Sequence, residues 1–370
     1  MTKLDALYLE GGQSPWVDNI RRDWLNNGTL AELVDSGVRG VTSNPAIFAK
    51  ALASTSDYDS RISSLSGTDV EELFEVLAVE DVRDACDVLM PIHTASVREF
   101  ESGVHRYVDG FVSLEVSPRL ARSCEETVVA ARRLAESVGR PNLMVKIPAT
   151  AECLPAIRRV LSEGINVNVT LIFSLERYAE VIDTFILGVN DALSAGRDIS
   201  NIASVASFFV SRVDASIDPM LGPNSPYLGT AAIGQVAKAY DIFLRRFGQS
   251  DARLILEAGG QVQRPLWAST SPKNPEYDSL IYVETLVAPE TVNTLPDATL
   301  NEFLKSGDSS VPSIADAGYR DSAIENFDAI AHLVDVKAVT TALERNGVAA
   351  FVSAYAELLE TVSKKVPQRD

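Results

Sequence analysis

Cysteine, histidine and positive charge are all scarce in this chain. Its three cysteines, Cys86, Cys124 and Cys153, lie far apart with no Cys-x-x-Cys pair, which argues against a disulfide framework and a structural zinc site and for a reducing cytoplasm. Its three histidines, His93, His105 and His332, have no companion at metal-ligand spacing and are read as structural or surface residues. Neither a Gly-x-Gly-x-x-Gly turn nor a Gly-x-Ser-x-Gly elbow occurs, which weakens a nucleotide-binding or serine-hydrolase reading. The N-terminal patch ALYL is too short for a signal peptide, and no later run approaches about 18 uninterrupted apolar residues. Only 33 Lys and Arg face 51 Asp and Glu, a net charge of −18. That charge repels polyanions, so neither nucleic-acid binding nor docking to an anionic membrane is expected. A small anionic substrate remains open through a local basic pocket.

What is present is a large core. The 370 residues are 46% hydrophobic and 23% charged, enough for two or three domains or one large α/β barrel. Short apolar runs alternate with longer amphipathic stretches, the signal of repeated βαβ units. The clearest unit starts at GFVSLEVSP (110–118), continues through EETVVAARRLAESVG and returns at NLMVKIPAT (142–150). Val128, Ala131, Ala135 and Val138 share a helical face, Gly139 supplies a stop and Pro141 prevents continuation. Six further runs read as strands: PWVDNI (15–20), VRGVTSN (38–44), INVNVTLIF (165–173), NIASVASFFV (201–210), ARLILEAG (252–259) and SLIYVETL (279–286). Eight strands, several apolar throughout, point to a single (β/α)8 TIM barrel over 1–370 with additional helices. A doubly wound open sheet is the alternative. The stretches 51–67 and 305–318 read as loops, about 326–364 as a helical C-terminal extension, and the terminal VPQRD as frayed.

Barrel enzymes react at the C-terminal ends of their strands. Polar or ionisable groups end the proposed strands at Asp18, Asn44, Glu115, Lys146, Asn168, Thr170 and Ser207. Lys146 stands among Leu143, Met144, Val145 and Ile147. Desolvation there disfavours an ammonium and frees an amine to attack a carbonyl; alternatively the side chain snorkels to solvent or pairs with a carboxylate. Glu115 and Asp18 are either general acid/base groups or ion-pair partners of that lysine. Asn44, Asn168, Thr170 and Ser207 suit the hydroxyls of a polyol, or satisfy loop backbone. Arg212 and Lys273 suit a phosphate, although Arg212 has Asp214 two residues away as a competing partner. The three tryptophans read as packing residues, with Trp16 near the pocket floor beside Asp18.

GVTSNPAIF (40–48) and NLMVKIPAT (142–150) resemble the two signatures of the transaldolase family. VSLEVSP, GINVNVTLIFS, SVASFFVSRVD, QRPLWAST and TVNTLP follow in the family's order, so the resemblance spans nearly the whole chain. It implies a class I aldolase barrel with no metal and no organic cofactor. It further implies transfer of a dihydroxyacetone unit from sedoheptulose 7-phosphate to glyceraldehyde 3-phosphate, giving erythrose 4-phosphate and fructose 6-phosphate in the pentose phosphate pathway. By resemblance Lys146 forms the Schiff base, Glu115 is the acid/base acting through a water that Thr170 helps hold, and Asp18 handles the substrate hydroxyl proton. Asn44, Asn168 and Ser207 would contact the dihydroxyacetone unit, Phe209 would exclude water, and Arg212 and Lys273 would bind phosphate. Cys153 and Ser271 stand where the family pattern leads one to expect Gly. A fructose-6-phosphate aldolase-like Schiff-base enzyme is the nearest alternative, and a catalytically silent sugar-phosphate-binding barrel the competing class. Sugar phosphates are the expected partners, for a monomer or a homodimer.

Overall fold

A computed structural model describes residues 1–366; the expectation that the VPQRD end frays falls outside them beyond Val366. The strands are β1 (Gln13–Val17), β2 (Val112–Glu115), β3 (Leu143–Pro148), β4 (Val167–Ile172), β5 (Ser204–Phe209), β6 (Gln263–Ala268) and β7 (Thr291–Leu295). Helices α1 (Lys3–Leu9), α2 (Arg22–Asn27), α3 (Thr29–Asp35), α4 (Pro45–Ser54), α5 (Asp59–Ser64) and α6 (Val70–Glu101) precede β2. Then come α7 (Cys124–Val138), α8 (Leu154–Ser162), α9 (Leu175–Ser194), α10 (Ser211–Leu221), α11 (Ala231–Arg246), α12 (Ser250–Glu257), α13 (Ile281–Glu284), α14 (Asp297–Ser306), α15 (Ala317–Ala331) and α16 (Val336–Lys365).

All neighbouring strands pair in parallel, in the order β1-β7-β6-β5-β4-β3-β2. The two edges meet at Val41, which makes isolated parallel bridges to Val17 of β1 and Val112 of β2. Val41 N–H donates to Phe111 O at 2.9 Å, and Val41 O accepts from Ser113 N at 2.9 Å. An eighth position reduced to one residue therefore closes the ring and removes both sheet edges. Gly40 is required there, because a Cβ would meet the Trp16 ring at 2.4 Å. The sequence-based barrel expectation is correct in architecture, but strand identity differs in three places. VRGVTSN contributes only the Val41 bridges, ARLILEAG is α12, and SLIYVETL contains the short helix α13. In ARLILEAG the buried residues Ala252 and Ile255 are three apart, a helical spacing that a short apolar run does not reveal. The remaining strands are QRPLWA and TVNTL. The stretch 51–67, expected as a loop, holds the end of α4 and all of α5, because Leu52, Tyr58 and Ile62 are buried in the core.

The βαβ unit at 110–150 forms as expected. In α7, Val128, Ala131 and Val138 are buried while Arg132, Arg133 and Glu136 are exposed, and Gly139 ends the helix at φ 60°.

Inside the ring, side chains from alternate residues stack in layers. A middle layer includes Trp16, Met144, Val205, Leu266 and Val292, all buried. Below it, at the N-terminal face, Asp109 accepts from Ser14 Oγ at 2.5 Å, Trp16 Nε1 at 2.9 Å and Arg39 Nε at 3.1 Å. Arg264 Nη1 lies 3.5 Å from the same carboxylate. Burial alone would raise the Asp109 pKa, but Arg264, Arg39 and these hydrogen bonds hold it below the usual value. Trp16 thus floors the upper layer, with Asp18 two residues on, just past the end of β1. Among the described residues no helix is long and apolar enough to cross a membrane.

Candidate active site

The upper layer, at the C-terminal ends of the strands, is polar. Lys146 is 5% exposed, so it does not snorkel to solvent. Its Nζ donates to the backbone carbonyl of Ser43 at 3.0 Å and stands 4.0 Å from Glu115 Oε2. β2 and β3 set this pair up directly, since Glu115 and Lys146 are register partners. The Glu115 side chain is 5% exposed, and burial pushes its pKa up to about 7, with Lys146 opposing and Asp18 reinforcing the rise. Asp18 Oδ1 accepts from Thr42 Oγ1 at 2.7 Å. Burial raises the Asp18 pKa too, against the opposing charge of Lys146 and the Thr42 bond. One lysine and two carboxyl groups thus share one low-dielectric pocket, where burial raises the pKa of both acids.

Asn168 and Ser207 meet beside them. Ser207 Oγ donates to Asn168 Oδ1 at 2.7 Å, and Asn168 Nδ2 donates to Ser113 Oγ at 3.0 Å. Asn168 is also the register partner of Lys146. Thr170 sits where the β4–β5 register shifts between Val169 and Ile172, next to Leu171 at φ 60°. Left-handed backbone at a non-glycine residue beside a bulge re-aims neighbouring side chains. Thr170 Oγ1 and Glu115 Oε2 are both buried and have no hydrogen-bond partner among the described residues. Asn44 caps α4, its Oδ1 accepting from Ile47 N–H at 3.1 Å; part of this side chain thus does the backbone-satisfying work that was its alternative role.

Farther along the rim, Phe209 is 7% exposed and packs on Phe173 at 5.0 Å between ring centroids. The Arg212 guanidinium lies 5.8 Å from the Phe209 ring. Arg212 does not pair with Asp214, because that carboxylate is taken by Tyr282 Oη at 2.5 Å and the Ala232 N–H at 2.8 Å. Burial lowers the Arg212 pKa; Lys273, exposed, is lowered by partial burial and then by Arg212 itself. Two cations face each other with no carboxylate partner among the described residues, which suits an anionic ligand.

Sequence reasoning missed Ser43, Thr42 and Ser113. Ser113 was detectable, since it precedes Glu115 by two and so shares its face of β2. The Ser43 carbonyl had no side-chain signal. Cys153 sits at φ −92° ahead of α8, a conformation any residue adopts, so its departure from Gly costs nothing in backbone strain. Among the described residues no group of three or more His, Cys, Asp or Glu is placed to hold a metal ion.

Residues 15–362 match the family described as Transaldolase/Fructose-6-phosphate aldolase. A transaldolase of Saccharopolyspora erythraea is 44% identical over 99% of this chain and 98% of its own length. One from Thermobifida fusca is 45% identical over 96% of each chain, and one from Mycobacterium bovis 44% identical over 94% of this chain and 93% of its own. With the whole barrel matched end to end, the chain belongs to the transaldolase/fructose-6-phosphate aldolase family.

Proposed function

We propose that this protein is a transaldolase, moving a dihydroxyacetone unit from sedoheptulose 7-phosphate to glyceraldehyde 3-phosphate through a Schiff base on Lys146. The observation that carries the reading is a buried lysine amine between the Ser43 carbonyl and the Glu115 carboxyl at the mouth of the barrel. Full-length likeness to transaldolases supports the choice of substrates.

The chemistry follows from the imine. Lys146 Nζ adds to the donor ketone, and Glu115, poised near neutrality, supplies and removes the protons that turn the carbinolamine into an iminium and water. Thr170 Oγ1 and Glu115 Oε2, both unpartnered and buried, suit a water relaying those protons. Asp18 takes the proton of the hydroxyl on the breaking side, the carbon–carbon bond electrons flow into the iminium, and erythrose 4-phosphate leaves. The enamine then adds to the acceptor aldehyde while Asp18 returns its proton to the new hydroxyl, and hydrolysis of the new iminium by water releases fructose 6-phosphate and the free amine. Asn44, Asn168 and Ser207 hold the dihydroxyacetone hydroxyls, Arg212 and Lys273 the phosphate, and Phe209 with Phe173 walls the enamine from water. None of these steps calls on a metal or an organic cofactor.

The family also includes fructose-6-phosphate aldolases, for which Lys146 would serve equally. An aldolase would release free dihydroxyacetone without an acceptor, so assaying release with and without an acceptor aldose separates the two. We place the enzyme in the cytoplasm as a single-domain monomer or homodimer without nucleic-acid partners, a reading supported by its free cysteines and net charge of −18.

The direct test is borohydride trapping with fructose 6-phosphate followed by peptide mass spectrometry. A reduced three-carbon adduct on Lys146 is the expected result. No adduct on active, folded protein would overturn the assignment of this lysine.

A further inference from the structure

We propose that a cavity at the N-terminal face of the barrel, walled by Val97, Phe100, Phe111, Leu143 and Ile165 with His93 as its acceptor, is a second ligand site for a small phenol-class molecule. The cavity, open to solvent on one side, has a volume of about 300 Å³. It lies between the end of α6 and the segments that enter β2 to β6, on the opposite side of the barrel from Lys146.

His93 supplies the directional group. The residue is 9% exposed and lines the cavity. Its Nδ1 lies 2.9 Å from the backbone carbonyl of Asp109, and a carbonyl only accepts, so Nδ1 carries the proton. In the neutral ring Nε2 is then an acceptor, and no residue among those described donates to it. Burial lowers the His93 pKa, which favours that neutral form. An edge-on contact with Phe111, 5.1 Å between centroids at 72°, fixes the ring plane.

The buried polar side chains Asn166 and Gln261 in the wall, and the half-buried Arg140, are occupied. Asn166 donates to Pro141 O and Leu143 O and accepts from Ala203 N–H. Gln261 accepts from Val108 N–H and donates to Ser200 O. Arg140 is held by Asp87 at 2.5 and 2.9 Å. The cavity therefore offers largely apolar walls with two phenylalanine rings and one unpartnered acceptor on His93, the exposed Glu101 carboxylate at its edge, and no free cation among the described residues that line it. That chemistry selects an aromatic body bearing one O–H donor over a carboxylate or phosphate, and the volume is at the small end of ligand sites.

Titration of the full-length protein with phenol and with toluene, followed through the His93 imidazole nitrogens by NMR, tests the site. Phenol should saturate and shift the His93 resonance, and toluene should bind at least tenfold more weakly. Val97→Trp, which fills the cavity far from Lys146, should abolish the phenol response while leaving sugar-phosphate turnover unchanged. Equal binding of phenol and toluene, no saturable response, or phenol binding that survives in Val97→Trp would each overturn the proposal. Should that variant fail to fold, the phenol and toluene comparison on the unaltered protein decides by itself.

Discussion

Lys146 Nζ lies 4.0 Å from Glu115 Oε2, close enough for mutual charge stabilisation but too far for a hydrogen bond. Lys146 Nζ donates instead to the Ser43 carbonyl. Glu115 thus keeps a pKa of about 7 despite its cationic neighbour, because burial outweighs the attraction. The proposed nucleophile and proton carrier are thus electrostatically coupled without a direct hydrogen bond between them.

Lys146→Ala should lower kcat by at least ~10³-fold, because it removes the proposed nucleophile. Circular dichroism should remain that of the unaltered protein, since the removed side chain leaves a polar strand end and not a packed core. Turnover at a tenth of the unaltered rate would reject the role.

Glu115 should appear in the pH profile. An inflection in kcat/KM near pH 7 is expected from its raised carboxyl, and Glu115→Gln should remove that inflection while lowering the rate about 10²- to 10⁴-fold. An inflection that persists in the glutamine variant assigns it to another group.

Arg212→Ala should raise KM for fructose 6-phosphate roughly 10- to 100-fold, the loss of one charged hydrogen bond. The KM for unphosphorylated fructose should hardly move. Lys273→Ala should act in the same direction but less, since Lys273 is exposed and its charge is screened by water. Parallel losses on both sugars would remove Arg212 from the phosphate site.

Asp214 should govern part of the stability-versus-pH curve without touching chemistry. Its pKa rises from 3.8 to about 7 through burial, against its bonds from Tyr282 and Ala232. A raised acid favours the protonated folded state, so its contribution is full below about pH 4 and is lost as pH rises through 7. Asp214→Asn should therefore flatten the fall in the unfolding free energy from urea titrations between pH 5.5 and 8, by on the order of 2 kcal/mol. Identical slopes for variant and unaltered protein would show that Asp214 titrates normally.

By itself the sequence determined the class of the molecule, most of its barrel and the greater part of its candidate site. β2 to β5 were legible because strands covered by helices outside and packed side chains inside are apolar nearly throughout. Lys146, Glu115, Asn168, Thr170 and Ser207 then stood out as polar residues ending such runs. β6 and β7 were illegible as strands for the opposite reason. Gln263, Arg264, Thr291 and Asn293 are polar, and their burial is tolerable only because partners wait across the barrel, such as Ser14 Oγ for Arg264, 250 positions away. Only the tertiary structure closed the ring through the single residue Val41. That closure brings the Ser43 carbonyl to Lys146 and Thr42 to Asp18, contacts between segments 103 and 24 residues apart. Local sequence encodes the period and polarity of each segment, whereas the register between distant segments is settled by which groups can be buried together with their hydrogen bonds satisfied.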